Sequence, residues 1–212
     1  MTRVKVCGVR TPEDALACAS AGADAVGMLV DVSISPRSVT AGRAKAIVAS
    51  LPPLVTSVIV MMPSSAEDVV DAGRRIRPGA IQLHGSEPPE MLRKIRRQLP
   101  WARLIKTIHV GAGGEVETAR SYEGAADAVL LDTLTPRQGG SGKAHDWGVS
   151  ARVVEAVNMP ALLAGGLSPA NVADAVRKAR PFAVDVSSGV ENGHYRKDPE
   201  KVRAFIANAK GA

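Results

Sequence analysis

Short apolar, largely β-branched runs alternate along the chain with amphipathic stretches of about ten residues. The runs fall at 3–7, 25–30, 55–60, 80–84, 104–109, 127–132, 161–164 and 183–187. The stretches fall at 12–21, 41–50, 65–76, 88–98, 115–121, 149–157, 169–178 and 198–209. This is the βαβ pattern of a parallel sheet covered by helices. Several helix starts are marked. Thr11-Pro12 is followed by Asp14, close to a capping box with proline at the first helical position, and Ser168-Pro169 and Asp198-Pro199 repeat the cap-then-proline signal. The stretch 115–121 is the least well marked, because it is short, polar and preceded by Gly111-Ala-Gly-Gly114.

Eight such units fit 212 residues at the short end of what a (β/α)8 barrel needs, roughly 200–250 residues. A doubly wound open sheet alternates in the same way. The polar residues favour the barrel: Cys7, Asp31, His84, His109, Asp132, Gly165-Gly166 and Ser187-Ser188-Gly189 all sit at strand C-termini, the end where barrel active sites lie. The expectation is a single (β/α)8 barrel domain over residues 1–212.

The first strand gives the barrel an unusual interior. Side chains alternate across a strand, so Lys5 and Cys7 share one face and Val4 and Val6 the other. If Cys7, Ile108 and Ser187 point inward, so do Lys5, Lys106 and Asp185. The first and eighth strands are neighbours in a closed barrel, and an unpaired buried charge is costly, so Lys5 is expected to contact Asp185.

Composition narrows the function. Apolar residues make up 45% and charged residues 23%, and no run approaches the roughly 18 residues of a membrane span. No signal-peptide pattern opens the chain, and a cytoplasmic location is expected. Two cysteines make no disulfide framework, and Cys18 reads as a small core residue with Ala15 and Ala19. With His84, His109, His145 and His194 they give no metal spacing. The net charge is +6, but Arg74/Arg75/Arg77 and Arg93/Lys94/Arg96/Arg97 fall late in predicted helices, where they suit the helix dipole. Two Trp, two Tyr and two Phe leave little for base stacking, so nucleic acid is not the expected partner. A positive field suits a small polyanionic substrate.

Anion binding is the first chemistry. Ala164-Gly165-Gly166-Leu167 follows the seventh strand and Ser187-Ser188-Gly189 the eighth. These two loops are the usual phosphate site of a barrel, where backbone N–H groups approach the anion closely. Gly139-Gly140-Ser141-Gly142-Lys143 is not a P-loop, because Arg137 stands where its first glycine belongs and Ala144 where its Ser/Thr belongs. It reads as a glycine-rich lid or as a plain solvent loop. Cys7 and Asp132 each close a strand at the barrel mouth, where a thiol and a carboxyl can serve as base and acid. On the residues alone Cys7 is equally an inert buried thiol, and Asp132 equally a turn cap. Lys5, one layer below, could stabilise a thiolate. Arg37 in Ser35-Pro-Arg-Ser38 could pair with a carboxylate, and His84 shares a face with Gln82.

These segments together resemble the phosphoribosylanthranilate isomerase family. The resemblance is carried by Lys5-Val-Cys-Gly8, Ala21-Gly-Ala-Asp-Ala-Val-Gly27, Ser35-Pro-Arg37, Ile81-Gln-Leu-His-Gly85, Leu130-Leu-Asp132, Gly139-Gly-Ser-Gly142 with Asp146-Trp147, Ala164-Gly-Gly-Leu167 and Val184-Asp-Val-Ser-Ser-Gly-Val-Glu191. It runs in order from the first strand to the last helix. It implies a cofactor-free, metal-free Amadori rearrangement in tryptophan biosynthesis, from N-(5-phosphoribosyl)anthranilate to 1-(2-carboxyphenylamino)-1-deoxyribulose 5-phosphate, by a monomer or homodimer. It also implies roles: Asp132 as general acid, Cys7 as general base, Arg37 on the anthranilate carboxylate, His84 beside the substrate, and Gly165, Gly166, Ser188 and Gly189 on the phosphate. The chain departs from the family at Gly27-Met-Leu-Val30 and Val60-Met-Met-Pro63, where aromatic residues and a Phe-Val-Asn type ending are usual. Met28 and aliphatic contacts are therefore expected to line the anthranilate pocket, or the methionines to fill core. Two other functions are weighed. A histidine-pathway phosphosugar isomerase on the same fold would need a second anion loop after the third strand and an aspartate in place of Cys7. A non-catalytic phosphometabolite-binding barrel would have no use for both Cys7 and Asp132.

Overall fold

The computed structural model describes residues 1–134 and 145–212. The glycine-rich segment read as a lid, with Lys143, lies outside the described residues. Among the described residues, nine strands form one parallel sheet: β1 (Arg3–Val6), β2 (Ala25–Val30), β3 (Ser38–Val39), β4 (Thr56–Met61), β5 (Ala80–Leu83), β6 (Arg103–Val110), β7 (Ala128–Thr133), β8 (Ala161–Leu163) and β9 (Ala183–Val186). Their order is β1-β9-β8-β7-β6-β5-β4-β2-β3, and β1 also pairs with β2, so eight of them close into a barrel. The two-residue β3 hangs on the outside of β2 at Leu29 and Val30. The helices are α1 (Pro12–Ser20), α2 (Ala41–Ser50), α3 (Ala66–Ile76), α4 (Pro89–Gln98), α5 (Glu115–Ser121), α6 (Trp147–Ala156), α7 (Val172–Ala179) and α8 (Pro199–Lys210), with a 3-10 turn at Ser188–Val190.

The alternation along each strand sorts side chains into two layers. Val4, Val6, Val26, Met28, Ile59, Ile81, Leu83, Leu131 and Val184 pack outward against the helices in the main core. Val58, Ala80, Ile105, Ala128, Leu130, Leu162, Ala164 and Ala183 form a separate inner cluster inside the barrel. Small and large residues alternate in this inner cluster, which fills a tapering interior. One expectation fails against this sorting, and one left open is decided. Lys106 and Ile108 face outward, because Ile105 holds the inward position on β6. Lys106 is 2% exposed and is held there by Glu87 at 2.9 Å, by the Gly85 carbonyl at 2.6 Å and beneath the Tyr122 ring. Met28 also faces outward, fully buried, so it is core.

Caps decide where helices begin. The Thr11 hydroxyl accepts from Asp14 N–H, but Asp14 does not complete the capping box; its carboxylate takes Arg196 at 2.9 Å. A full box instead starts α3, where Ser65 and Asp68 each accept from the other's backbone N–H. Asp198 caps α8 as expected. Ser168-Pro169 does not start α7, which begins at Val172. Asn171 ties down the intervening turn, accepting from Ser168 N–H and donating to the Gly166 carbonyl.

Candidate active site

The ends of the barrel strands frame a cavity of about 360 Å³ lined by Cys7, Arg37, His84, Asp132, Asp185 and Ser187, among others. All but Arg37 reach it because they sit at inward positions of a strand or just past its end. Leu29 and Met62 contribute apolar walls, one residue along from the outward-facing Met28 and Met61. The site contacts expected of Met28 therefore belong to Leu29 and Met62.

Beneath the cavity lies the predicted ion pair. Lys5 and Asp185 are register partners on β1 and β9, and Lys5 Nζ stands 3.0 Å from Asp185 Oδ2. The ammonium is 1% exposed, and neither it nor Asp185 Oδ1 has a well-aligned hydrogen bond. Cys7 lies above them. Burial pushes its thiol above the ordinary range, and the Lys5 charge pulls against that rise. Asp132 sits across the mouth, with Oδ1 accepting from Thr133 N–H at 2.8 Å. Burial, and then the neighbouring Asp185 charge, raise its carboxyl to about 6. A carboxyl so perturbed keeps part of its population protonated near neutrality, as a general acid requires.

His84 lies between Asp132 and a polar relay. Its Nε2 is 3.6 Å from Asp132 Oδ2. Its Nδ1 is 3.2 Å from the Gln82 amide and 3.1 Å from the Thr107 hydroxyl. Gln82 also donates to Thr107, and the His84 ring turns its Nε2 side toward Asp132. The backbone carbonyl of His84 accepts from His109, whose ring burial keeps neutral.

Arg37 enters from the loop after β2. Its Nε and Nη2 donate bidentately to Glu191 at 2.7 Å each. Lys197 Nζ meets the same carboxylate at 2.7 Å. Two cations on one carboxylate leave positive charge in excess, and three of the five guanidinium N–H groups remain for another acceptor. Glu191 and Lys197 escaped the sequence reading as site residues. Their signal was there, since buried Glu191 closes the Asp-Val-Ser-Ser-Gly-Val-Glu run, but only the fold shows which arginine it meets.

The glycine loops after β8 and β9 also come together. Gly165 and Gly166 have φ of +82° and +66°, conformations that favour glycine. A side chain on Gly165 would strike Thr133 and come within 3.0 Å of Asp132 Oδ1, so this loop adjoins Asp132. A side chain on Gly189 would strike the Leu167 carbonyl, so the two loops touch backbone to backbone. Ser188 and Gly189 open the 3-10 turn, whose first N–H groups have no partner within the turn.

A thiol and a raised carboxyl lining one cavity at a barrel mouth, beside cationic and glycine-rich walls, define a (β/α)8 barrel site suited to proton-transfer chemistry on an anionic small molecule. Residues 4–208 match the family model described as N-(5'phosphoribosyl)anthranilate (PRA) isomerase. A relative of that name from Methanocella arvoryzae is 62% identical over 210 residues, 99% of each chain. The crystal structure of phosphoribosyl anthranilate isomerase from Thermotoga maritima superposes with a TM-score of 0.89 at 40% identity, over the whole of both chains. A second solved structure, of a phosphoribosyl anthranilate isomerase in complex with reduced 1-(o-carboxyphenylamino)-1-deoxyribulose 5-phosphate, gives 0.86 at 37% identity, again over both chains. The chain belongs to the phosphoribosylanthranilate isomerase family and is an isomerase of tryptophan biosynthesis.

Proposed function

We propose that this chain converts N-(5-phosphoribosyl)anthranilate to 1-(2-carboxyphenylamino)-1-deoxyribulose 5-phosphate with Asp132 as general acid and Cys7 as general base. Asp132 gives its proton to the ribose ring oxygen. The C1′–O bond breaks as the anilino nitrogen lone pair forms a C=N bond. The Cys7 thiolate then takes the C2′ proton, and the C–H electrons form the C1′=C2′ bond of an enolamine while the C=N pair returns to nitrogen. The enolamine gains a proton at C1′ and loses one from the C2′ hydroxyl to give the ketone. No step calls for a cofactor or a metal.

One observation carries the assignment: a thiol and a raised carboxyl line the same cavity from the ends of β1 and β7. The remaining Arg37 N–H groups would hold the anthranilate carboxylate, and His84 would lie beside the substrate. The Gly165, Gly166, Ser188 and Gly189 backbone would hold the phosphate. The two buried, unlinked thiols of Cys7 and Cys18 suit a reducing compartment, the cytoplasm.

The acid titrates near pH 6 and the base above the ordinary thiol range, so the active form, with Asp132 protonated and Cys7 ionised, is a minor species. Its population rises up to about pH 6, stays level while thiolate gained offsets carboxylic acid lost, and falls once the thiol is fully ionised. The acid limb of kcat/KM therefore belongs to Asp132 and the alkaline limb to Cys7.

The test is turnover of freshly generated N-(5-phosphoribosyl)anthranilate, followed by loss of its fluorescence. Cys7→Ala and Asp132→Asn are each expected to lose about 10²–10⁴-fold in kcat while still binding a phosphorylated analogue. Full activity in either variant would overturn that residue's role.

A further inference from the structure

Gly27 sits in the middle of β2 with an ordinary strand φ, so no backbone strain explains a glycine there. Glycine within a strand weakens it unless something must come close. What comes close here is the base. A Cβ on Gly27 would stand 2.8 Å from Cys7 Sγ, 3.0 Å from Lys5 Cε and 3.2 Å from Lys5 Nζ. The thiol and the ammonium thus share one small recess whose wall is the bare Cα of Gly27. β1 and β2 pair in register with Lys5 opposite Ala25, so Gly27 lies level with the Cys7 end of β1. The ammonium is buried and has N–H groups not spent on well-aligned bonds.

We propose that Gly27 is a positioning residue for this reaction: its missing side chain lets the Cys7 sulfur and the Lys5 ammonium occupy one recess, so that Lys5 carries the negative charge of the thiolate that takes the C2′ proton. The inference rests on Cys7 being the base. Lys5 does not touch substrate; it acts through Cys7. Asp185 holds Lys5 from the far side and keeps it protonated. An alanine at 27 is compatible with the strand and adds one methyl group, but that methyl occupies the space in which thiol and ammonium meet.

The experiment compares wild type, Gly27→Ala, Cys7→Ala and the double variant. Gly27→Ala is expected to lose at least tenfold in kcat with KM within threefold. The alkaline limb of its kcat/KM profile should move to higher pH, and so should the pH midpoint for alkylation of Cys7 by iodoacetamide, read by peptide mapping. Thermal unfolding supplies a second measure. The methyl group should lower Tm more in the wild-type background than in Cys7→Ala, where the sulfur is gone. A kcat within threefold of wild type overturns the inference, as does a lost kcat with an unmoved alkylation midpoint. If Gly27→Ala fails to fold, a folded double variant supports the recess, and failure of both overturns it. Full activity in Cys7→Ala removes the base assignment itself, whereas an inactive Cys7→Ala beside a fully active Gly27→Ala removes only the role of Gly27.

Discussion

Two aspartates bracket β7 and do opposite things. Asp127 precedes the strand at the floor of the barrel. Burial works against its charge, but Arg96 at 2.9 Å, the Leu104 N–H at 2.7 Å and Arg103 at 3.3 Å outweigh it and hold the carboxyl below its usual range. Asp132, near the other end, has burial and a neighbouring carboxylate against it, and rises to about 6. The two ends of the barrel differ in the same way. The floor has a cavity of about 410 Å³, slightly larger than the mouth, lined by Ala25, Val58, Ala80, Ile105 and Ala128 and rimmed by Arg3 stacked on Phe182. Its two carboxylates, Asp24 and Asp127, are spent on Lys210, Arg96, Arg103 and backbone N–H groups. At the mouth, ionisable groups are turned inward and left incompletely satisfied. Cavity size therefore says little about where chemistry happens; the presence of perturbed, convergent polar groups decides it.

Replacing each aspartate by asparagine tests the contrast directly. The largest effect expected is on rate. Asp132→Asn loses about 10²–10⁴-fold in kcat, whereas Asp127→Asn stays within about threefold, and comparable losses in both would erase the distinction. Next comes stability, with opposite signs. The raised Asp132 carboxyl binds its proton more tightly in the folded state, so wild-type stability falls as pH rises from about 4 through about 6. Asp132→Asn escapes that cost. Denaturant titration should find it more stable than wild type at pH 8 by about 2–3 kcal/mol, with the advantage gone at pH 4. Asp127→Asn should lose about 1–3 kcal/mol at pH 7. A depressed carboxyl stabilises the fold above its unfolded value and ceases to do so as pH falls through its folded one, so this loss should shrink below about pH 4. The smallest effect concerns a feature that serves the fold alone. Ser65→Ala opens the capping box of α3 and should cost about 1 kcal/mol with no change in kcat.

Much of this was legible before any coordinates. All eight barrel strands and the eight helices fall where the hydrophobic period put them, because a parallel barrel buries continuous apolar runs and exposes amphipathic helices. The Lys5–Asp185 pair followed from alternation plus closure. The errors have physical causes too. The inward face of β6 was misjudged because Ile108 was taken to point inward, and alternation then carried Lys106 with it. Its partner Glu87 lies in a loop whose path no period reveals, and that loop lets a lysine be buried on the helix side. Ser168-Pro169 looked like a helix start, yet Asn171 bonds back to the loop and delays α7. Arg37 was picked out for a carboxylate, and the structure first gives it one from its own chain, Glu191, 154 residues away.

The sequence by itself determined the period, the barrel, the strand-end glycines and the identity of the thiol and the carboxyl, because these depend on local spacing and on residue type. Tertiary structure alone decided what those groups are. For Cys7, already a candidate base by its strand end, it added burial and a Lys5 ammonium sharing the recess beside Gly27. For Asp132, already a candidate acid, it added the burial and the nearness of Asp185 that raise its carboxyl. The same residue type at Asp127 is an inert tether, because arginines and a backbone N–H surround it. Protonation depends on the dielectric and on charges a few ångströms away in space, and chain order does not encode those distances.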